Sequence, residues 1–258
     1  MTLKPIDIAR TRELAFFKAA TDETFDRVMS GAFLQRFPSG TTLLLEGDSV
    51  DFLYVLLDGS VELGAGWKSK DTTLAILRPV STFILAAVVL ESDALMSAVT
   101  LERSEILMVP GESIRRAMND NPAFGFAISE ELAGCYRGLV RSIKNHKLRD
   151  STERLANYLL TQSARQGETD QITLPHEKRV LAALLGMSPE NLSRAFAKLS
   201  AQGVSVDGAI VRFSKMQALE RLARPTPLID NHFAQDRSQL GKAHTERQQG
   251  VLNDPQNR

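Results

Sequence analysis

The sequence predicts an α+β fold in three parts: an all-β roll, then one long helix, then a helix-turn-helix closed by a β-hairpin. Three observations predict it. Between residues 31 and 110, short β-prone runs are separated by Gly, Pro, Asp and Ser, the spacing of an all-β roll or barrel. Beyond Asn121-Pro122 a helical pattern runs on to about residue 150. Residues 180–213 then read as helix, turn, helix and hairpin.

The elements follow in order. Residues 8–30 are predicted helical, and strands are expected at 33–37, 42–45, 52–57, 60–63, 73–77, 98–101 and 105–109. A short helix at 112–119 completes a first domain, 1–121. The long helix, 122–150, carries Ile128, Leu132, Cys135, Leu139, Ser142 and His146 at alternating steps of four and three. That is a heptad seam, and so narrow a stripe needs a partner helix, so a parallel homodimer is expected. Residues 151–166 form the first helix of a C-terminal domain, 151–224. After Arg224, two prolines and a run of Gln, Asn, Asp and Arg with little apolar periodicity predict a disordered tail over 225–258.

The C-terminal domain is the most informative part. Leu192, Ala195, Phe196 and Leu199 share one helical face, while Glu190, Asn191, Ser193, Arg194 and Lys198 occupy the rest. Upstream, Val180, Leu181, Leu184 and Leu185 form a second stripe that ends at Gly186, with Ser188 as N-cap and Pro189 at the first helical position. A helix-turn-helix presents the N-terminal residues of its second helix to base edges in the major groove. Glu190, Ser193 and Arg194 would face those bases: Arg can pair with guanine, and Glu can accept from cytosine. Downstream, Asp207-Gly208 between β-prone runs predicts the hairpin of a wing. Residues 174–224 hold eight Lys or Arg against four Asp or Glu, whereas residues 1–125 hold twelve against seventeen. The basic charge sits where phosphate contact is expected, with Lys198, Arg179 and Arg212 as its carriers. Double-stranded DNA is the partner this pattern implies.

Composition sets the limits. A chain of 258 residues with 43% apolar content can bury one large or two modest cores. The longest apolar run, 83–90, is far short of the roughly 18 residues that span a bilayer. The N-terminus lacks the apolar core of a secretory signal, so a cytoplasmic protein without membrane contact is expected. The single cysteine, Cys135, excludes an intrachain disulfide and a four-thiolate iron–sulfur cluster within one subunit. Four scattered histidines show no metal spacing. No nucleophile elbow, phosphate loop or His-x-x-x-His pair is present, so no catalytic residue is assigned and no enzyme is expected.

With these pieces in place the chain resembles the superfamily of the cyclic-AMP receptor protein and the fumarate and nitrate reduction regulator (CRP/FNR), over about residues 20–224. The resemblance is carried by Gly40-x-x-Leu43, by Glu46-Gly47-Asp48, and by Leu53-Tyr54-Val55-Leu56-Leu57-Asp58-Gly59-Ser60-Val61, followed by the long helix and the helix-turn-helix. It implies a cupin-like β-roll sensor of the cyclic-nucleotide-binding type, acting through a dimer helix on a winged helix that regulates transcription. It also implies RNA polymerase as a further partner. Glu190-Asn191-Leu192-Ser193-Arg194 is similar to the FNR-branch recognition pattern, which implies an inverted repeat of the type TTGAT-N4-ATCAA. Activation is the expected sense; repression is the alternative, decided by where the site lies in a promoter.

The departures shape the expected effector. Family members that bind cyclic nucleotides use a Gly-Glu-Leu…Arg-Ser-Ala cassette; alignment puts Ala86 at the glutamate and Met96 at the arginine. A phosphate buried without a cation is costly, so the expectation is a roll without that cassette, and cyclic AMP or cyclic GMP is not expected. The resemblance instead offers a pocket lined by Phe83, Leu85, Ala86, Val88, Leu95 and Met96. It would take a small apolar ligand or haem, which some gas-sensing members bind, or these residues simply fill the core. Residues 1–145 hold no histidine, so a haem ligand would come from Met, Cys135, the N-terminus or His146.

Overall fold

The computed structural model describes residues 4–68, 70–167 and 170–230. It divides into two compact units, Met1–Ala133 with Lys178–Ser188, and Gly134–Glu177 with Pro189–Arg258.

The first unit opens with three short helices, α1 (Pro5–Arg12), α2 (Ala15–Lys18) and α3 (Asp22–Met29). Eight strands follow: β1 (Phe33–Phe37), β2 (Thr42–Leu44), β3 (Phe52–Asp58), β4 (Val61–Trp67), β5 (Lys70–Leu77), β6 (Ser81–Phe83), β7 (Ser97–Thr100) and β8 (Ser104–Pro110). They form two antiparallel four-stranded sheets, ordered β1-β8-β3-β6 and β2-β7-β4-β5. Between β6 and β7 lies α4 (Leu85–Leu90), and after β8 come α5 (Gly111–Asp120) and the start of α6 (Pro122–Leu148).

β3 explains how the sheet it shares with β8 is covered on both faces. Its side chains alternate faces, yet five consecutive residues, Leu53 to Leu57, are buried. Leu53, Val55 and Leu57 join a core with Phe16, Phe17, Phe25, Val28 and the α6 residues Phe124, Ala127 and Ile128. Tyr54 and Leu56 point the other way, into a second core with Leu44, Val61, Leu63, Phe83, Ala98 and Ile106. The helical core is aromatic: Phe17 meets Phe25 edge-on at 5.2 Å and stacks on Phe124 at 6.0 Å. This packing fixes the first two turns of α6 to the roll.

The motifs that carried the resemblance build the turns of this roll. Gly59 sits at φ +90, and a Cβ there would lie 2.4 Å from Ser104 Oγ and 2.6 Å from the Arg103 carbonyl. Only glycine fits that approach. In Glu46-Gly47-Asp48, the Asp48 carboxylate accepts from Leu45 N at 2.8 Å, and Gly47 N donates to the Ala94 carbonyl at 2.8 Å.

The second unit holds the rest of α6, then α7 (Ser151–Arg165), β9 (Gln171–Thr173), α9 (Pro189–Ser200), β10 (Val204–Asp207), β11 (Ile210–Phe213), α10 (Met216–Ala223) and α11 (Pro227–Asp230). The intervening α8 (Lys178–Leu184) goes with the first unit. α7 starts on a capping box: Asp150 accepts from Thr152 N and Glu153 N, and Glu153 accepts in return from Asp150 N at 2.9 Å.

Residues 83–90, the longest apolar run, have no element assigned from the sequence; they form the end of β6 and a short helix, set off by left-handed Ile84 (φ +68) and Glu91 (φ +50). Two expectations are corrected. Residues 227–230, expected within a disordered tail, form α11, with Asp230 paired to Arg149; the remainder of that tail, 231–258, lies outside the described residues. Ile128 cannot belong to a dimer seam, because it is fully buried in the core of its own roll, and Leu132 packs against the same core.

Candidate DNA-binding interface

The turn between α8 and α9 is built by backbone geometry that the sequence announces. Met187 N donates to the Ala182 carbonyl at 3.0 Å and Gly186 N to the Ala183 carbonyl at 2.9 Å, with Gly186 at φ +61. This is a Schellman close, which stops α8 and satisfies its last carbonyls. Pro189 then opens α9, where a missing N–H costs nothing.

α9 divides cleanly into two faces. Leu192, Ala195 and Leu199 are buried, and the helix lies against α7 and β10 of its own unit. Glu190, Asn191, Ser193, Arg194 and Lys198 are exposed. Burying one stripe fixes the rotation of the helix about its axis, so the polar residues have a defined outward direction. Ser193 Oγ donates to the Pro189 carbonyl at 3.0 Å, and Arg194 Nη1 donates to Asn191 Oδ1 at 3.4 Å. The second distance is long, and the guanidinium keeps further donors for a planar acceptor.

The wing is present. β10 and β11 pair from Val204↔Phe213 to Asp207↔Ile210, leaving a two-residue loop, Gly208-Ala209. Gly208 lies at φ +60, the first central position where a tight hairpin of this kind wants glycine. The turn is therefore one residue later than Asp207-Gly208 suggested. β9 adds a third strand, unforeseen from the sequence, through Val211↔Ile172. Arg212 is exposed on the wing between Ser205 and Gln171.

The second unit thus brings together Glu190, Asn191, Ser193, Arg194, Lys198 and Arg212. Ser188 and Arg179 are exposed but go with the first unit. Sequence reading missed two cations beside Lys198. A cleft of about 560 Å³ is lined by Lys198, Gln202, Arg221 and Arg224 together with Asp150, Thr152 and Glu153. Arg221 and Arg224 carry no local signal, because they come to line a cleft with Lys198 only once α10 packs on α7, as α9 does.

The residues assigned to an effector pocket do not converge. Leu85 and Val88 belong to the helical core, Phe83 and Met96 to the core between the sheets, and Ala86 and Leu95 face solvent, Leu95 at 80% exposure. Phe83 is occupied by Tyr54, stacked on it at 5.0 Å. Among the described residues, no group of three or more His, Cys, Asp or Glu could hold a metal ion, and no helix is long and apolar enough to cross a membrane.

Comparison with known proteins matches residues 34–121 to the cyclic nucleotide-binding domain and residues 153–222 to the Crp-like helix-turn-helix domain. The chain combines the two domains of the CRP/FNR regulators. It is 25% identical over 194 residues to the CRP-like cAMP-activated global transcriptional regulator of Mycobacterium tuberculosis, covering 73% of this chain and 87% of that one. The cyclic AMP receptor protein of Thermus thermophilus is 27% identical over 189 residues, covering 73% and 86%. Among solved structures, FixK2 from Bradyrhizobium japonicum superposes with a TM-score of 0.66 at 19% identity, over 76% of this chain and 98% of that one; at that identity it supports the fold alone. The CRP/FNR relatives are transcription regulators and not enzymes, so this chain is placed as a DNA-binding regulator of transcription.

The first match overturns an expectation. A roll without the cyclic-nucleotide cassette was inferred from two positions, Ala86 and Met96, yet residues 34–121 match the nucleotide-binding domain as a whole. That match spans all eight strands from Leu34 onward and the turns at Glu46-Gly47-Asp48 and Gly59, whereas Ala86 and Met96 are two side chains in the one connection between β6 and β7. Exclusion of cyclic AMP is withdrawn with that expectation.

Proposed function

We propose that the chain is a homodimeric, sequence-specific regulator of the CRP/FNR type, which binds an inverted repeat of the TTGAT-N4-ATCAA kind and answers to an effector held by its β-roll. The observation that carries the proposal is the two-faced α9, its apolar stripe buried and Glu190, Ser193 and Arg194 turned outward. Arg194 reads guanine, Glu190 accepts from cytosine, and Lys198 with Arg212 neutralises phosphate. Arg179 of α8 adds to the phosphate affinity. A twofold axis sets two such helices about one turn of DNA apart.

Support for the dimer comes from α6. Tyr136, Leu139 and Ile143 are 68%, 64% and 55% exposed, at steps of three and four along one face. His146 continues that seam, while Cys135 flanks it; both are exposed, as is Ser142. A cyclic nucleotide is the effector class that the domain match favours, and relatives whose names record activation by cAMP support the same class.

Fluorescence anisotropy on a TTGAT-N4-ATCAA duplex and a scrambled one tests the reading. Arg194→Ala is expected to cost about 1–3 kcal/mol on the repeat and little on the scrambled duplex. Lys198→Ala is expected to weaken both alike and to lower the salt slope by about 1. Unchanged specific binding in Arg194→Ala would refute the assignment of α9.

A further inference from the structure

We infer that residues 224–230 form a clasp that sets the angle between the long helix and the winged helix, with Arg149 and Asp230 as its positioning pair. The inference rests on the proposed dimeric, DNA-binding reading. Only Arg149 and Asp150 separate α6 from α7. The torsions of two residues therefore decide where α9 points relative to the exposed face of α6. Such a short junction behaves as a hinge unless another part of the chain spans it.

The chain does span it. After α10 the backbone turns at Arg224, left-handed at φ +46, and runs into α11. The Asp230 carboxylate there accepts from both terminal nitrogens of Arg149, at 2.5 and 2.7 Å. This is the two-pronged pairing in which a guanidinium fixes both distance and plane. The two side chains are only 7% and 20% exposed, so water competes poorly for either partner.

Further bonds fasten the same segment to α6 and α7. Arg149 Nη1 also donates to Asn145 Oδ1 at 3.2 Å, and Nη2 to the Arg224 carbonyl at 3.4 Å. Lys144 Nζ donates to the Leu228 carbonyl at 3.1 Å. Asn157 of α7 donates to the Ala223 carbonyl at 2.7 Å. Asp230 is itself held in place, its carboxylate accepting from Thr226 N at 2.6 Å. The last turn of α6, the first half of α7 and the exit from α10 are thus joined around the junction. The Crp-like domain match ends at residue 222, so the clasp is an addition beyond it.

Breaking a buried pair on one side strands the other charge. A loosened clasp leaves each recognition helix able to bind its own half-site but no longer presents the two in register. Single-site affinity should survive, and affinity for the paired sites should fall. A loss of folding would instead lower both equally.

The test uses the full chain, as wild type, Asp230→Asn and Asp230→Glu. Anisotropy is measured on the inverted repeat and on a duplex bearing one half-site, with circular dichroism to follow folding. The expected result is about a tenfold or greater loss on the inverted repeat for Asp230→Asn, the order of one charged hydrogen bond, with half-site affinity held within about twofold. Asp230→Glu should recover most of the loss. If Asp230→Asn does not fold, Lys144→Met, which keeps the ion pair, carries the same comparison with a smaller expected loss on the repeat alone. Equal affinities for wild type and variant on both duplexes, or equal losses on both, would overturn the clasp. Failure of the wild type to prefer the repeat over a scrambled duplex would overturn the DNA-binding reading beneath it.

Discussion

Both halves of α6 carry large apolar residues, but only the first half buries a stripe of them within one chain. In the first half, Phe124, Ala127 and Ile128 are buried in the core of their own roll. In the second, Tyr136, Leu139, Val140 and Ile143 stand in solvent within one chain. A helix with a buried stripe at one end and a bare stripe at the other is anchored by the first and left to associate by the second. The heptad reading of the sequence ran a single seam through both halves, from Ile128 to His146. Periodicity shows that a face is apolar, and it is silent on what covers that face.

The contrast can be broken from either side. The largest effect is expected in the bare half. Leu139→Glu should leave the roll folded by circular dichroism while sedimentation shows a monomer, and binding to the inverted repeat should fall by about 10²–10⁴, the gain that linking two sites provides. An unaltered dimer would move the seam elsewhere. In the anchored half, Phe124→Ala should cost about 3–5 kcal/mol in urea unfolding of the roll, without changing the oligomeric state at native conditions.

The smallest effect concerns Cys135, where the two halves meet. Its side chain reaches solvent, yet the atoms packed around the sulfur desolvate the thiolate and push its pKa above the ordinary thiol value. The folded thiol is therefore protonated at neutral pH, and alkylation should be slow there and speed up as the pH rises toward the raised pKa. In the Leu139→Glu monomer the same thiol should react a few times faster, since a partner helix no longer shields it. Fast alkylation at neutral pH in the native protein would contradict the desolvated site.

What the sequence made legible followed local rules. The β-prone run of β3, the stop at Gly186, the start at Pro189 and the two faces of α9 are set by neighbours within a few residues, and each stands where it was expected. The missed features are long-range or conformational. Arg149 and Asp230 lie 81 positions apart, and neither residue signals the other. β9 is three residues long and exists because β11 offers it an edge. The αL residues Ile84 and Glu91 that isolate α4 are β-branched and acidic, types that no rule places at positive φ. The pocket lining failed for a related reason: adjacent residues such as Leu85 and Ala86 ended on opposite sides of the wall. Ala86 and Met96 are two side chains in one connection, and they say little about a domain that spans residues 34–121.

The central claim is that two copies of α9 read one inverted repeat together. Sedimentation of the full chain with a TTGAT-N4-ATCAA duplex, repeated with a duplex in which one half-site is scrambled, tests it most directly. Two chains per intact duplex, with affinity falling by about 10²–10⁴ when one half-site is lost, is the predicted result. One chain per duplex, bound equally well to either DNA, would contradict it.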